Sequence, residues 1–173
     1  MNERNGNMKK VNWIRGELSA VNKGAKCNNE FAMYELATRY LTGRSVTYDE
    51  VSGIYWACQA ATHGNPRGMV LAGYCLIRGI GCSEEEPEDR FREAVGWFED
   101  AARLGNATAY YNLGGCYLLG IGKNRSKKAA LVYYRAASEK GCKRAAKAIA
   151  AIEAADTKTL TEMAETAQLL LVA

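Results

Sequence analysis

The amino-acid sequence predicts an all-α solenoid, a stack of helix-loop-helix units, and three observations carry that prediction. First, the chain copies itself. The stretch 106–141 has Ala109, Leu113-Gly114, Tyr117, Gly120-Ile121-Gly122, Ala130, Tyr133-Tyr134, Ala137 and Gly141. Shifts of 41 residues before the loop and 36 after it recover Gly68, Ala72-Gly73, Leu76, Gly79-Ile80-Gly81, Ala94, Trp97-Phe98, Ala101-Ala102 and Gly105. One register serves both shifts once five residues around the acidic run Glu84 to Asp89 are read as an insertion. A period of this size marks stacked units, each too small to bury its apolar face alone. Second, Ala109, Leu113 and Tyr117 recur at helical spacing, as do Ala130, Tyr133-Tyr134 and Ala137. Third, a chain of 173 residues with 48% hydrophobic side chains, only two prolines and abundant glycine and tyrosine suits packed helices in an ordinary globular protein.

Taken in order, residues 1–9 are polar and are expected to be a disordered start to a single repeat domain spanning 10–173. Trp13, Ile14, Leu18 and Val21 share one helical face, so 10–24 is read as an N-terminal cap helix ending at Gly24. The first repeat, 28–64, has Ala32, Leu36-Ala37, Tyr40 and Gly43 in its first helix. Thr47-Tyr48-Asp49-Glu50 then reads as a capping box opening the second helix. It departs from the pattern at Arg44-Ser45 in the loop and at Gly53, where alanine is expected. The second repeat, 65–105, opens with Asn65-Pro66, a cap followed by proline at the first helical position, and the third, 106–141, opens with Asn106. The Gly-x-Gly pairs supply positive-φ turns between helices, and Gly105 and Gly141 close second helices in the left-handed region. Residues 142–173 are expected to form a partial repeat and a C-terminal cap helix begun by Thr159-Leu160-Thr161-Glu162. A docking or membrane-surface role for Leu169 to Val172 is the alternative.

The pattern Leu113-Gly114-x-x-Tyr117-x-x-Gly120-x-Gly122, then Ala130-x-x-Tyr133-Tyr134-x-x-Ala137, with Trp97-Phe98-x-x-Ala101-Ala102-x-x-Gly105 in the preceding copy, resembles the SEL-one-like repeat, a relative of the tetratricopeptide repeat. The resemblance covers residues 30–155. It implies a right-handed α-α superhelix of about three repeats with helical caps, acting as a non-enzymatic adaptor for a protein or peptide. It also implies roles in complex scaffolding and, in bacteria, in regulation or host contact. Some cysteine-rich relatives are linked to β-lactams or cell-wall fragments, so binding or hydrolysis of such compounds is the alternative function. This chain lacks the regular cysteine pairs of those relatives.

The formal net charge of +4 is too mild to imply a nucleic-acid partner. Arg15 and Glu17 interrupt any apolar core of a signal peptide after Lys9-Lys10, and the longest fully apolar terminal run, Leu169 to Ala173, is far below the roughly 20 residues of a membrane span. The expected setting is cytoplasmic, with an exported form open if a longer N-terminus exists. The six cysteines fall at irregular repeat positions, and Cys75 and Cys116 stand in successive first helices about 8–10 Å apart, beyond disulfide reach. They are read as reduced, packed thiols, with a structural disulfide and a metal site as lesser alternatives. His63, the sole histidine, lacks a catalytic partner at helical spacing, so no catalytic residue, cofactor or metal ligand is assigned. The acidic run Glu84 to Asp89 is read as a solvated loop, attracted across the stack to Lys123, Arg125, Lys127 and Lys128. Trp13, Trp56 and Trp97 are read as core.

The candidate site lies on the first helices, opposite the Ala109, Leu113, Tyr117 stripe. At 100° per residue, 108, 111, 112, 115, 118 and 119 point away from that stripe, as do Arg67, Val70, Leu71, Tyr74, Ile77 and Arg78 in one earlier unit and Phe31, Tyr34, Glu35, Thr38, Leu41 and Thr42 in the other. Positions 41, 77 and 118 are assigned to packing between first helices. Tyr34, Tyr74 and Tyr111, with Asn112 and flanked by Arg67, Arg78 and Lys147, are expected to line the concave groove, a composition suited to peptide recognition. Plain repeat-to-repeat packing of these tyrosines is the competing reading. The molecule is expected to be a monomer, with self-association through incomplete caps as a third role.

Overall fold

The computed structural model describes residues 16–82 and 87–154, which form eight α-helices and no strand. These are α1 (Leu18–Lys26), α2 (Glu30–Thr42), α3 (Glu50–Thr62), α4 (Pro66–Arg78), α5 (Pro87–Arg103), α6 (Ala107–Leu119), α7 (Lys127–Glu139) and α8 (Lys143–Ala154). The expectations for residues 1–9, Trp13, Ile14, Glu84 to Glu86, the Thr159 capping box and Leu169 to Val172 lie outside the described residues. The chain divides into two compact units, Met1–Glu85 and Glu86–Ala173. In the first, α1 packs on α2, α2 on α3 and α4, and α3 on α4; in the second, α5 packs on α6, α6 on α7 and α7 on α8.

Side-chain caps fix where these helices begin. Asn29, Asn65 and Asn106 each accept from backbone N–H groups of the following first turn at 2.9–3.1 Å, satisfying donors that a helix start leaves orphaned. Pro66 fits the first turn because its missing N–H is not needed there. The second helices start on Asp49 and Ser126, which accept from Ser52 and Ala129. Asp49 therefore replaces Thr47 as the cap of α3: the helix begins at Glu50, so the side chain that can reach its first turn is the adjacent carboxylate. That capping holds the Asp49 carboxyl below its usual range, through the Ser52 hydroxyl first and the Ser52 amide second.

The N-terminal helix also differs from expectation. It continues through Gly24, which is buried inside it, to Lys26. The left-handed turn falls instead on Asn28 at φ 57°, and the Asn29 N–H closes back on the Gly24 carbonyl. Asparagine tolerates this conformation better than other non-glycine residues. Ser45, at φ 62°, stands where the later repeats have Gly81 and Gly122.

Those two glycines do more than turn the chain. A Cβ on Gly81 would lie 2.5 Å from the Glu50 carbonyl oxygen and 2.8 Å from Ile54; one on Gly122 would lie 2.5 Å from the Phe91 carbonyl oxygen and 3.0 Å from Val95. The same repeat position thus clamps a loop onto the N-terminal half of a second helix in each unit. Elsewhere, Gly53 makes room for Leu41, and Gly114 receives the Tyr134 ring. Ala109, Ala130 and Ala137 are fully buried, as the close helix approach requires.

The core holds Val21, Met33 and Leu36 in the first unit and Phe98, Tyr134 and Ile152 in the second. Trp56 packs against the first-unit core as expected, whereas Trp97 sits differently. Trp97 is half-buried and donates from Nε1 to Glu93 at 3.2 Å, while the next residue along, Phe98, is 1% exposed. One step of 100° separates the two rings, and the apolar volume of α5 points inward through Phe98.

Phe98→Ala is expected to lower unfolding free energy in urea by roughly 3–5 kcal/mol, with Trp97→Ala costing clearly less. Gly122→Ala combines a backbone collision with a left-handed φ and is expected to cost roughly 2–4 kcal/mol. Gly141→Ala, with φ 86° and nothing within 4 Å, should cost only about 1–2 kcal/mol.

Candidate partner-binding surface

In the first unit, two predicted residues come together. Tyr34 on α2 is half-buried, and the exposed Arg67 in the first turn of α4 places its guanidinium carbon 5.5 Å from the ring centroid, a cation-π contact. Tyr74 is half-buried and Arg78 exposed further along α4. Glu35, whose spacing assigned it to the same face, turns inward: it is 3% exposed and ion-paired to the equally buried Arg39 at 2.8 Å and to Arg44. Arg39 also donates to the Gly16 carbonyl at 2.6 Å. A buried carboxylate needs such partners.

In the second unit, Tyr111 and Asn112 are 2% and 7% exposed, so they support the surface from beneath rather than forming it. The Tyr111 ring packs 5.3 Å from that of Tyr134, because the inward slot opened by Gly114 draws the two tyrosines together. Burial pushes both phenols above the usual tyrosine range. Above them lie cations. The Arg144 guanidinium sits 5.3 Å from the Tyr111 centroid, and the Lys140 ammonium sits 5.4 Å from that of Tyr110. Lys147 is exposed on α8.

Arg144 was missed in the sequence, although a signal existed. Tyr34 and Tyr111 are 77 positions apart, and so are Arg67 and Arg144. Each pair therefore occupies one repeat position, a first-helix tyrosine covered by an arginine from the first turn of the next first helix. Tyr74 lies a turn later in its helix than Tyr34 and Tyr111 do in theirs, so it is not their repeat counterpart.

Helix pairs repeated in one register define a helical-repeat protein. The particular family follows from the repeat itself. The Sel1 repeat model matches residues 31–65, 66–106 and 107–142, and the chain belongs to the Sel1 repeat family, whose members generally mediate protein-protein interaction as non-enzymatic adaptors. Among solved structures, a Sel1 repeat protein from Oxalobacter formigenes matches with TM-score 0.64 and 29% identity, covering 76% of this chain and 96% of that one. The protein c5321, a protective antigen of uropathogenic Escherichia coli strains with an SLR fold, matches with TM-score 0.64 and 28% identity over 70% of this chain and 25% of its own. A curated relative, the ERAD-associated E3 ubiquitin-protein ligase component HRD3B of Arabidopsis thaliana, is 29% identical over 99 residues, which is 57% of this chain and 15% of that protein.

None of the six cysteines forms a disulfide. Cys75 and Cys116 are buried, and desolvation pushes each thiol up to about 12. His63 is exposed, with Nδ1 2.8 Å from the Gln59 carbonyl oxygen. Among the described residues no group of three or more His, Cys, Asp or Glu side chains is placed to hold a metal. A thiol-specific chromogenic reagent at neutral pH is expected to modify the exposed Cys27 quickly, and to reach Cys75 and Cys116 only after denaturant is added.

Proposed function

We propose that the chain is a non-enzymatic adaptor whose first-helix face, the expected concave side of the superhelix, holds a protein or peptide. In the first unit that face consists of Tyr34, Arg67, Tyr74 and Arg78. The observation that carries the reading is the Arg67-on-Tyr34 contact. It holds an exposed guanidinium in place over an aromatic ring, so little side-chain freedom is lost when a partner's carbonyl or carboxylate docks. In the second unit Tyr111 and Asn112 brace the surface and Lys147 is presented.

None of the six cysteines is joined in a disulfide, which suits a reducing, cytoplasmic setting. No helix among the described residues is long and apolar enough to cross a membrane. The likeness to a bacterial protective antigen favours a bacterial role in regulation or host contact, and the likeness to a ligase component favours work inside a larger assembly.

Crosslinked capture from a lysate of the source cell, comparing the native chain with Arg67→Ala/Tyr74→Ala, tests this. Loss of a captured protein is expected, with helicity by circular dichroism unchanged and melting nearly so. Equal capture by both forms would place the partner elsewhere.

A further inference from the structure

We propose that the Arg144 surface of the second unit docks an acidic peptide segment, an inference that rests on the binding-module reading and names its partner's chemistry. Residues 140–152 carry four cations, Lys140, Lys143, Arg144 and Lys147, and no carboxylate. All four are exposed, and among the described residues none has a carboxylate partner. Several other cations of this unit are matched: Arg135 pairs with Glu153 at 2.9 Å, Lys123 with Glu99 at 2.9 Å, and Arg103 with Asp100.

The four are also gathered rather than scattered. Lys147 lies one helical turn from both Lys143 and Arg144, so like charges crowd one face of α8, an arrangement that opposes folding unless a counter-charge arrives. Lys140 and Arg144 rest on adjacent rings, Tyr110 and Tyr111. The Arg144 guanidinium, 5.3 Å from the Tyr111 centroid, is exposed, and a guanidinium can meet a carboxylate with two parallel hydrogen bonds. Aspartate and glutamate side chains of an extended segment, spaced to meet Arg144 and the flanking lysines, fit this surface. The recurrence of the arginine-on-tyrosine contact in the first unit shows that the fold builds it at a fixed position; the second unit adds the lysines.

The test is fluorescence anisotropy with the full chain and a short fluorescein-labelled peptide of alternating glutamate and glycine. Binding is expected, weaker at high salt because exposed charges are screened, and absent for the matched glutamine-glycine peptide. Arg144→Gln/Lys147→Gln should weaken it roughly tenfold or more with unchanged circular dichroism, while Arg135→Gln on α7 leaves it unaltered. Arg144→Lys, which keeps the charge and loses the fork, should fall between, and it secures the test if the double variant folds poorly.

Equal binding of the glutamine peptide, unchanged affinity in both Arg144 variants, or tighter binding of a DNA duplex would overturn the proposal. So would glutamate-peptide binding that emerges only when Asp156, Glu162 and Glu165 become amides, since the chain's own acidic C-terminal stretch would then be the occupant. Failure of every peptide also overturns it, and leaves the first-unit face to be judged by lysate capture.

Discussion

A single close contact governs this architecture: the second glycine of a Gly-x-Gly loop lying against a backbone carbonyl in the N-terminal half of a second helix. Gly81 meets Glu50 and Gly122 meets Phe91 with no room for a Cβ. Because interiors are packed to crystal-like density, such an approach admits one register. A shift of either loop would collide with backbone, which cannot rotate away as a side chain can. Alanines at 109, 130 and 137 and the hollow at Gly114 continue the same close spacing between helices.

That rigidity has a functional consequence. Within each unit it holds a first-helix tyrosine under an arginine that starts the next first helix, at 5.5 Å in one and 5.3 Å in the other. Flexible cations on a mobile surface would lose side-chain entropy on binding; cations seated on rings lose less. Packing of small residues and presentation of charge are thus two results of one repeat geometry. The buried Glu35–Arg39 pair, by contrast, faces inward and serves to join α2 to the segment at Gly16.

Much of this was legible in the sequence, for definite reasons. Asn65-Pro66, Asn106 and the Gly-x-Gly pairs are local signals: the residue that adopts the conformation is the residue that reveals it. What depended on distant partners was harder to read. Glu35 has the spacing of a surface residue, and only Arg39 and Arg44 together make its burial tolerable. Trp97 and Phe98 differ by one step around α5, too small a rotation for an apolar pattern to settle which ring faces in. Arg144 was overlooked because the repeat pattern fades after Gly141, so the register was not carried forward to the residue equivalent to Arg67. Tyr111 gives opposite cues in its hydrophilic hydroxyl and apolar ring, and its packing on the distant Tyr134 ring is not written in its own helix.

Amide hydrogen exchange across the full chain, with and without a bound partner or the acidic peptide, tests most directly whether the first-helix face is where this protein recognises others. Amides near a helix start, even when capped, exchange through local opening, which a covering partner suppresses. Slowed exchange in the first turns of α4 or α8, with α3 and α7 unchanged, is the expected result. Slowing confined to α3 and α7, where Val51, Tyr55 and Val132 are exposed, would contradict it.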